Sequence, residues 1–202
     1  MVNETGKTFT VAITGASGSI FAVELLRLMA ADERVARIDL VVSDAALRVL
    51  AEEMQLSGRN GLAEKLVGAG GAVKIRQHTD ENIGANIASG SYPSDGMIVL
   101  PCSMGTLAGI AHGLASSLVQ RAADVTLKER RPLVLCVRET PFNLIHLRNM
   151  TAAAEAGATI YPVMPTLYNH PQTMQDIVRN FVHRVLAHVG LRQDGAFEWG
   201  AE

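Results

Sequence analysis

Short, β-branched apolar runs alternate along the chain with longer stretches whose apolar residues recur at helical spacing. Residues 9–14 (FTVAIT), 37–42, 97–100 (MIVL) and 133–137 (LVLCV) read as strands that are apolar on both faces, with a further strand at 73–77 and a short one at 159–161. The intervening pattern predicts helices over about 20–31, 44–53, 62–67, 106–112, 116–127, 143–156 and 173–189. Asp44 is the expected N-cap of the second helix, Pro101 the expected stop of the fourth strand, and 78–94 an irregular excursion. Strands buried on both faces and alternating with helices imply a parallel sheet covered on each side. The predicted fold is therefore a single doubly wound, Rossmann-like α/β domain over 1–202, with 1–8 and 193–202 as terminal extensions.

Composition narrows the function classes. The chain has 202 residues, 48% of them hydrophobic and 19% charged, which excludes a disordered protein. Lys and Arg number 18 against 20 Asp and Glu, so the net charge of −2 gives non-specific nucleic-acid binding no overall electrostatic support. Cys102 and Cys136 both sit inside apolar runs and make neither a disulfide framework nor a four-thiolate zinc site. The first ten residues lack the apolar core of a signal peptide, and no apolar run approaches the roughly 20 residues that span a bilayer. A cytoplasmic enzyme is the expectation, with neither membrane nor nucleic acid as partner.

In an open parallel sheet, ligands bind beyond the carboxyl ends of the strands. The residues there are Gly15-Ala16-Ser17-Gly18-Ser19, Ser43-Asp44, Pro101-Cys102-Ser103-Met104-Gly105-Thr106 and Arg138-Glu139-Thr140. The first segment joins a strand to a helix, where backbone N–H groups can converge on a phosphate. It is Gly-x-x-Gly, without the Gly-x-Gly-x-x-Gly dinucleotide fingerprint or the Gly-Lys-Ser/Thr ending of a nucleotide-triphosphate loop. A mononucleotide suits it better than NAD or ATP; an ordinary tight βα turn suits it equally.

A basic cluster follows, with Arg121, Lys128, Arg130, Arg131 and Arg138. Arg130 and Arg131 fit a solvated helix end, where cations complement the dipole. Arg138 ends a buried strand, where a cation is costly unless it meets an anion, and adjoins Glu139. Such a pair can hold a phosphate while the carboxylate remains available for proton transfer. Ser89-Gly90-Ser91 suits an anion nest or a plain turn, and Tyr168 and Arg184 are further polar candidates near the carboxyl-terminal helix. The six histidines are scattered, His183 and His188 are expected at the surface, and no catalytic metal is predicted. No Gly-x-Ser-x-Gly elbow or Cys/His pair points to a hydrolase.

These motifs occur together in a known order. Thr14-Gly15-Ala16-Ser17-Gly18, Ser89-Gly90-Ser91, the Pro101–Leu107 run PCSMGTL, RAAD at 121–124, LKERRPL at 127–133 and Arg138-Glu139-Thr140-Pro141 resemble the UbiX-type flavin prenyltransferases, once called aromatic-acid decarboxylases. The resemblance runs from about Phe9 to Trp199, and its specific part is the long RAAD-to-RETP stretch. It implies a flavodoxin-like fold and a homo-oligomer, typically a dodecamer, with sites at subunit interfaces. It also implies metal-independent transfer of a dimethylallyl group from dimethylallyl phosphate to N5 and C6 of reduced FMN. The products would be phosphate and prenylated FMN, the cofactor of a separate UbiD-type decarboxylase in ubiquinone biosynthesis or aromatic-acid breakdown.

By the same resemblance, Gly15, Ala16, Ser17, Ser43, Ser103, Met104, Gly105, Thr106 and Arg138 match FMN-binding positions. Tyr168, Arg184, Ser89, Gly90, Ser91, Arg121, Lys128 and Trp199 match the dimethylallyl-phosphate site, with Ser17, Glu53, Lys128 and Glu139 as catalytic candidates. Two departures lie near the expected pocket: Phe21-Ala22 stands where Tyr-Gly is usual, and Leu167 where an aromatic is common. Two rivals share this reading of the fold. One is an FMN-dependent cysteine decarboxylase, whose Pro-Ala-Ser-Ala-Asn-Thr motif and catalytic Asn have no match in PCSMGT. The other is a non-catalytic flavin carrier.

Overall fold

The computed structural model describes residues 6–197 and 200. Six strands, β1 (Lys7–Ile13), β2 (Val35–Val42), β3 (Ile75–Thr79), β4 (Gly96–Cys102), β5 (Leu133–Val137) and β6 (Thr159–Ile160), form one sheet. Every neighbouring pair is parallel, in the order β3-β2-β1-β4-β5-β6. Without the edge strand β3, the remaining order is that of a flavodoxin-like sheet. The helices are α1 (Ser19–Ala31), α2 (Asp44–Met54), α3 (Leu62–Ala72), α4 (Met104–Ala111), α5 (Leu118–Lys128), α6 (Leu144–Glu155) and α7 (Met174–His188).

Alternate residues of each central strand feed two separate cores, which is why those strands read as continuous apolar runs. Phe9, Val11 and Ile13 of β1 face α1 and α7, together with Leu40, Ile98 and Val134. Ala12, Val41, Met97, Val99 and Leu135 face the other layer, formed by α4, α5 and α6.

Several expected boundaries shift for local reasons. β1 starts at Lys7, whose amide donates to the Arg34 carbonyl at 2.7 Å. β4 runs through Pro101 to Cys102, and the proline is accommodated where the β4/β5 register shifts, between Val99 and Cys102. Ser43, not Asp44, caps α2, its Oγ accepting from the Ala46 amide at 3.1 Å. β3 lies two residues later than expected, so His78 belongs to the sheet. His183 is buried rather than at the surface, because it lies on the inward side of α7, which packs against α1; His188 is exposed.

Candidate active site

β1 and β4 are adjacent, yet α1 leaves toward one face of the sheet and α4 toward the other. This divergence opens a crevice at their carboxyl ends, the topological switch point of the fold. Thr14 stitches its floor. Its amide and hydroxyl donate to the Pro101 carbonyl at 3.2 and 2.8 Å, and its Oγ1 accepts from the Ser103 amide at 2.8 Å. Ser103 then caps α4, its Oγ accepting from the Thr106 amide and donating to Thr106 Oγ1. The Arg138 amide donates to the Cys102 carbonyl at 3.2 Å, which brings the end of β5 to the same edge.

The turn after β1 is tight for a packing reason. A Cβ on Gly15 would lie 2.5 Å from that of Ala45 on α2. Gly18 takes a left-handed φ of 119° before α1 begins, a conformation that favours glycine. The α1 amino terminus is not an open phosphate cradle, as the Gly-x-x-Gly pattern alone allowed. Glu53, at the end of α2, fills it: its carboxylate accepts from the Gly18 amide at 3.1 Å and the Ser19 amide at 2.8 Å. Partial burial pushes this carboxyl up. The Ser17 and Ser19 hydroxyls and the two amides outweigh that effect and hold it below its ordinary value of 4.5.

A cavity of about 320 Å³ opens beside this turn, lined by Ser17, Phe21, Arg138, Val163, Met174 and Ile177 among others. Its wall is apolar apart from the Ser17 hydroxyl and the Arg138 guanidinium. Arg138 is exposed just beyond β5, so it escapes the desolvation cost expected of a cation ending a buried strand. A second cavity, of about 290 Å³, has Arg138 and Glu139 in its lining, and there Glu139 accepts from the Thr140 amide at 2.9 Å. A third, of about 250 Å³, contains Tyr161, Phe181 and Arg184. Arg184 donates to the Tyr168 hydroxyl at 3.3 Å. Edge-to-face contacts of Phe181 with Phe21 and Tyr161, at 5.1 and 5.6 Å between centroids, join the walls of the first and third cavities.

The other phosphate-site candidates lie at the opposite, amino-terminal edge of the central strands, before β4 and β5. α5 ends at Lys128, and the five residues of β5 that separate this end from Arg138 span about 16 Å. Here Ser89 and Ser91 are exposed, with their hydroxyls 2.9 Å apart. The Arg121 Nε donates to the Ala88 carbonyl at 3.2 Å, and Lys128 donates to the Glu129 carboxylate. Gly90 fits closely over this pair, for a Cβ there would collide with the Lys128 and Glu129 side-chain ends.

One chain therefore gathers Gly15–Ser17, Glu53, Ser103–Thr106, Arg138 and Glu139 around one edge, and Ser89, Gly90, Ser91, Arg121 and Lys128 at the other. Ser43, as the cap of α2 after β2, belongs to the first edge. Trp199 lies outside the described residues. Sequence reasoning missed Arg131, assigned to a solvated helix end: it donates to the Gly90 and Tyr92 carbonyls at 2.8 and 3.0 Å and so clamps the Ser89–Ser91 turn. Cys102 and Cys136 are buried, and burial pushes the Cys102 thiol up to about 12 and Cys136 higher than usual, so neither is a ready nucleophile. No group of three potential metal ligands occurs among the described residues.

The Flavoprotein family matches residues 2–186. The flavin prenyltransferase UbiX of Salmonella typhimurium is 48% identical over 180 residues, covering 89% of this chain and 90% of the relative. A dodecameric FMN-dependent UbiX-like decarboxylase from Escherichia coli O157:H7 superposes with a TM-score of 0.86 at 42% identity, covering 96% of this chain and all of the other (100%). AnUbiX (PadA1), solved with FMN and dimethylallyl pyrophosphate, gives a TM-score of 0.86 at 35% identity, covering 98% and 99% of the two chains. The crevice between β1 and β4 and its ring of small and hydroxyl residues are thus those of a chain that belongs to the UbiX family of flavin prenyltransferases.

Proposed function

We propose that this protein transfers a dimethylallyl group from dimethylallyl phosphate to N5 and C6 of reduced FMN, releasing phosphate and prenylated FMN. The observation that carries this reading is the apolar cavity shared by Ser17, held by Glu53, and the exposed Arg138 guanidinium. The residues present suit FMN. Gly105 faces open space at the start of α4, and Ser17 and Arg138 offer polar groups beside a largely apolar wall. Gly15, Ala16, Ser17, Ser43, Ser103, Met104, Gly105, Thr106 and Arg138 are the residues we assign to it. Reduced FMN supplies electron-rich N5 and C6 atoms to the reaction.

Allylic C–O cleavage builds positive charge on the allyl group and negative charge on the departing phosphate. Arg138, Lys128 and Arg184 stabilise the phosphate electrostatically, which is the largest kind of single contribution a site can make without covalent chemistry. Ser89, Gly90, Ser91, Arg121, Tyr168 and Trp199 complete the phosphate and allyl site in this assignment. Ser17, oriented by Glu53, contacts the flavin near N5, and Glu139 or the departing phosphate takes the C6 proton. Because the Lys128 and Arg138 edges are separated by the length of β5, the complete site draws on more than one subunit. A homododecamer like that of the Escherichia coli relative supplies such an arrangement.

The product then serves a separate UbiD-type decarboxylase. The location we assign is the cytoplasm; among the described residues no helix is long and apolar enough to cross a membrane. A cysteine decarboxylase is disfavoured because the run 101–106 (PCSMGT) carries no Asn. A flavin carrier would need neither the Glu53–Ser17 contact nor a second basic edge. Anaerobic incubation with reduced FMN and dimethylallyl phosphate in the presence of EDTA, read by mass spectrometry of the flavin, tests the proposal.

A further inference from the structure

The face of β2 that carries Val41 also carries a fully buried carboxylate, Asp39, that the reaction above does not use. It is satisfied from three sides. His78 Nε2 on β3 lies 2.8 Å from its Oδ1, the Tyr92 hydroxyl donates to its Oδ2 at 3.0 Å, and Arg37 Nε approaches Oδ2 at 3.4 Å. The Arg37 guanidinium also covers the Tyr92 ring at 5.0 Å. A buried carboxylate is costly unless it is paired and hydrogen-bonded, so each of these partners is held in place by it.

Tyr92 is the residue immediately after Ser89-Gly90-Ser91, and its amide donates to the Ser89 carbonyl at 3.2 Å, closing the turn. The same turn is clamped from the α5 side by Arg131 on the Gly90 and Tyr92 carbonyls. Its exposed serines therefore sit between two anchors, one in the sheet and one at the helix end. We infer that Asp39 and Tyr92 are positioning residues for the donor phosphate: through the Tyr92 hydroxyl, the buried carboxylate fixes the turn that presents Ser89, Gly90 and Ser91. This inference rests on the prenyltransferase reading and assigns a role to residues far from the flavin edge.

Tyr92→Phe removes the hydroxyl and keeps the ring under Arg37. The inference expects the KM for dimethylallyl phosphate to rise about tenfold, because small misplacement of binding groups is costly, while kcat at saturation and the Kd for FMN stay within about twofold. Inorganic phosphate, tested as a competitive inhibitor, should lose affinity by the same factor. Asp39→Asn should reproduce the pattern. If that variant does not fold, Tyr92→Phe decides alone. An unchanged KM and phosphate affinity in folded, FMN-binding Tyr92→Phe overturns the inference and leaves the network a matter of stability. A wild-type protein that prenylates no flavin overturns both the parent reading and the inference resting on it.

Discussion

Glu53 and Ser19 meet end to end: the carboxylate closing α2 accepts the first amide of α1 at 2.8 Å. The contact places a fixed negative charge where the helix dipole favours one, and it also takes up the Ser17 hydroxyl. A site otherwise suited to a ligand phosphate is thereby reserved for a side chain, and Ser17 is aimed by an anion.

Glu53→Gln should accordingly do two separable things. Loss of the charge at α1 should cost about 0.5–1 kcal/mol of stability, as for other acidic groups at helix amino termini. Prenyl transfer should fall at least about tenfold with FMN binding retained, since Ser17 loses its charged partner. The carboxyl is held below its ordinary value of 4.5, so its contribution to stability is present above that pH and is lost as pH falls through the lower folded value. The Tm difference between wild type and Glu53→Gln should therefore shrink on acidification past 4.5. A difference that grows instead would show that the sign is wrong.

Gly90→Ala probes the other edge of the sheet. The new methyl meets the ends of the Lys128 and Glu129 side chains, which can swing away, so stability should change by less than about 0.5 kcal/mol. Moving that pair displaces Lys128, the phosphate ligand we propose, and the KM for dimethylallyl phosphate should rise about tenfold. Thermal melts and initial rates on the same preparation check both halves. A variant that melts normally and keeps its KM would remove Gly90 and Lys128 from the phosphate site.

Much of this was legible in the chain, and the exceptions share a cause. β5 is the strand 133–137 that its five apolar residues announce, because burial on both faces leaves no other reading. The strand-end residues Ser17, Ser103 and Arg138 lie where the sequence places them, because topology alone puts strand ends at the crevice. Arg131 and His183 were misassigned because local composition cannot say which long-range carbonyl or helix face a side chain will meet. The Glu53 contact spans 34 residues, from Glu53 to Ser19, and is fixed only when α1 and α2 pack side by side.

The separation of Lys128 from Arg138 by β5 predicts complementation between subunits. Lys128→Ala and Arg138→Ala should each be nearly inactive alone. Reassembled together, they should recover activity, because some sites then combine an intact edge from each variant. A mixed oligomer as inactive as its parents would mean that each site is built within one chain.

The most direct test of the central claim is the mass of the flavin. The purified protein, kept anaerobic with EDTA, receives dithionite-reduced FMN and dimethylallyl phosphate. The account predicts a flavin heavier by one prenyl unit, with release of one phosphate for each flavin converted. FMN that stays bound but unmodified would contradict the transferase and leave a flavin carrier. Failure to bind FMN at all would contradict the site itself.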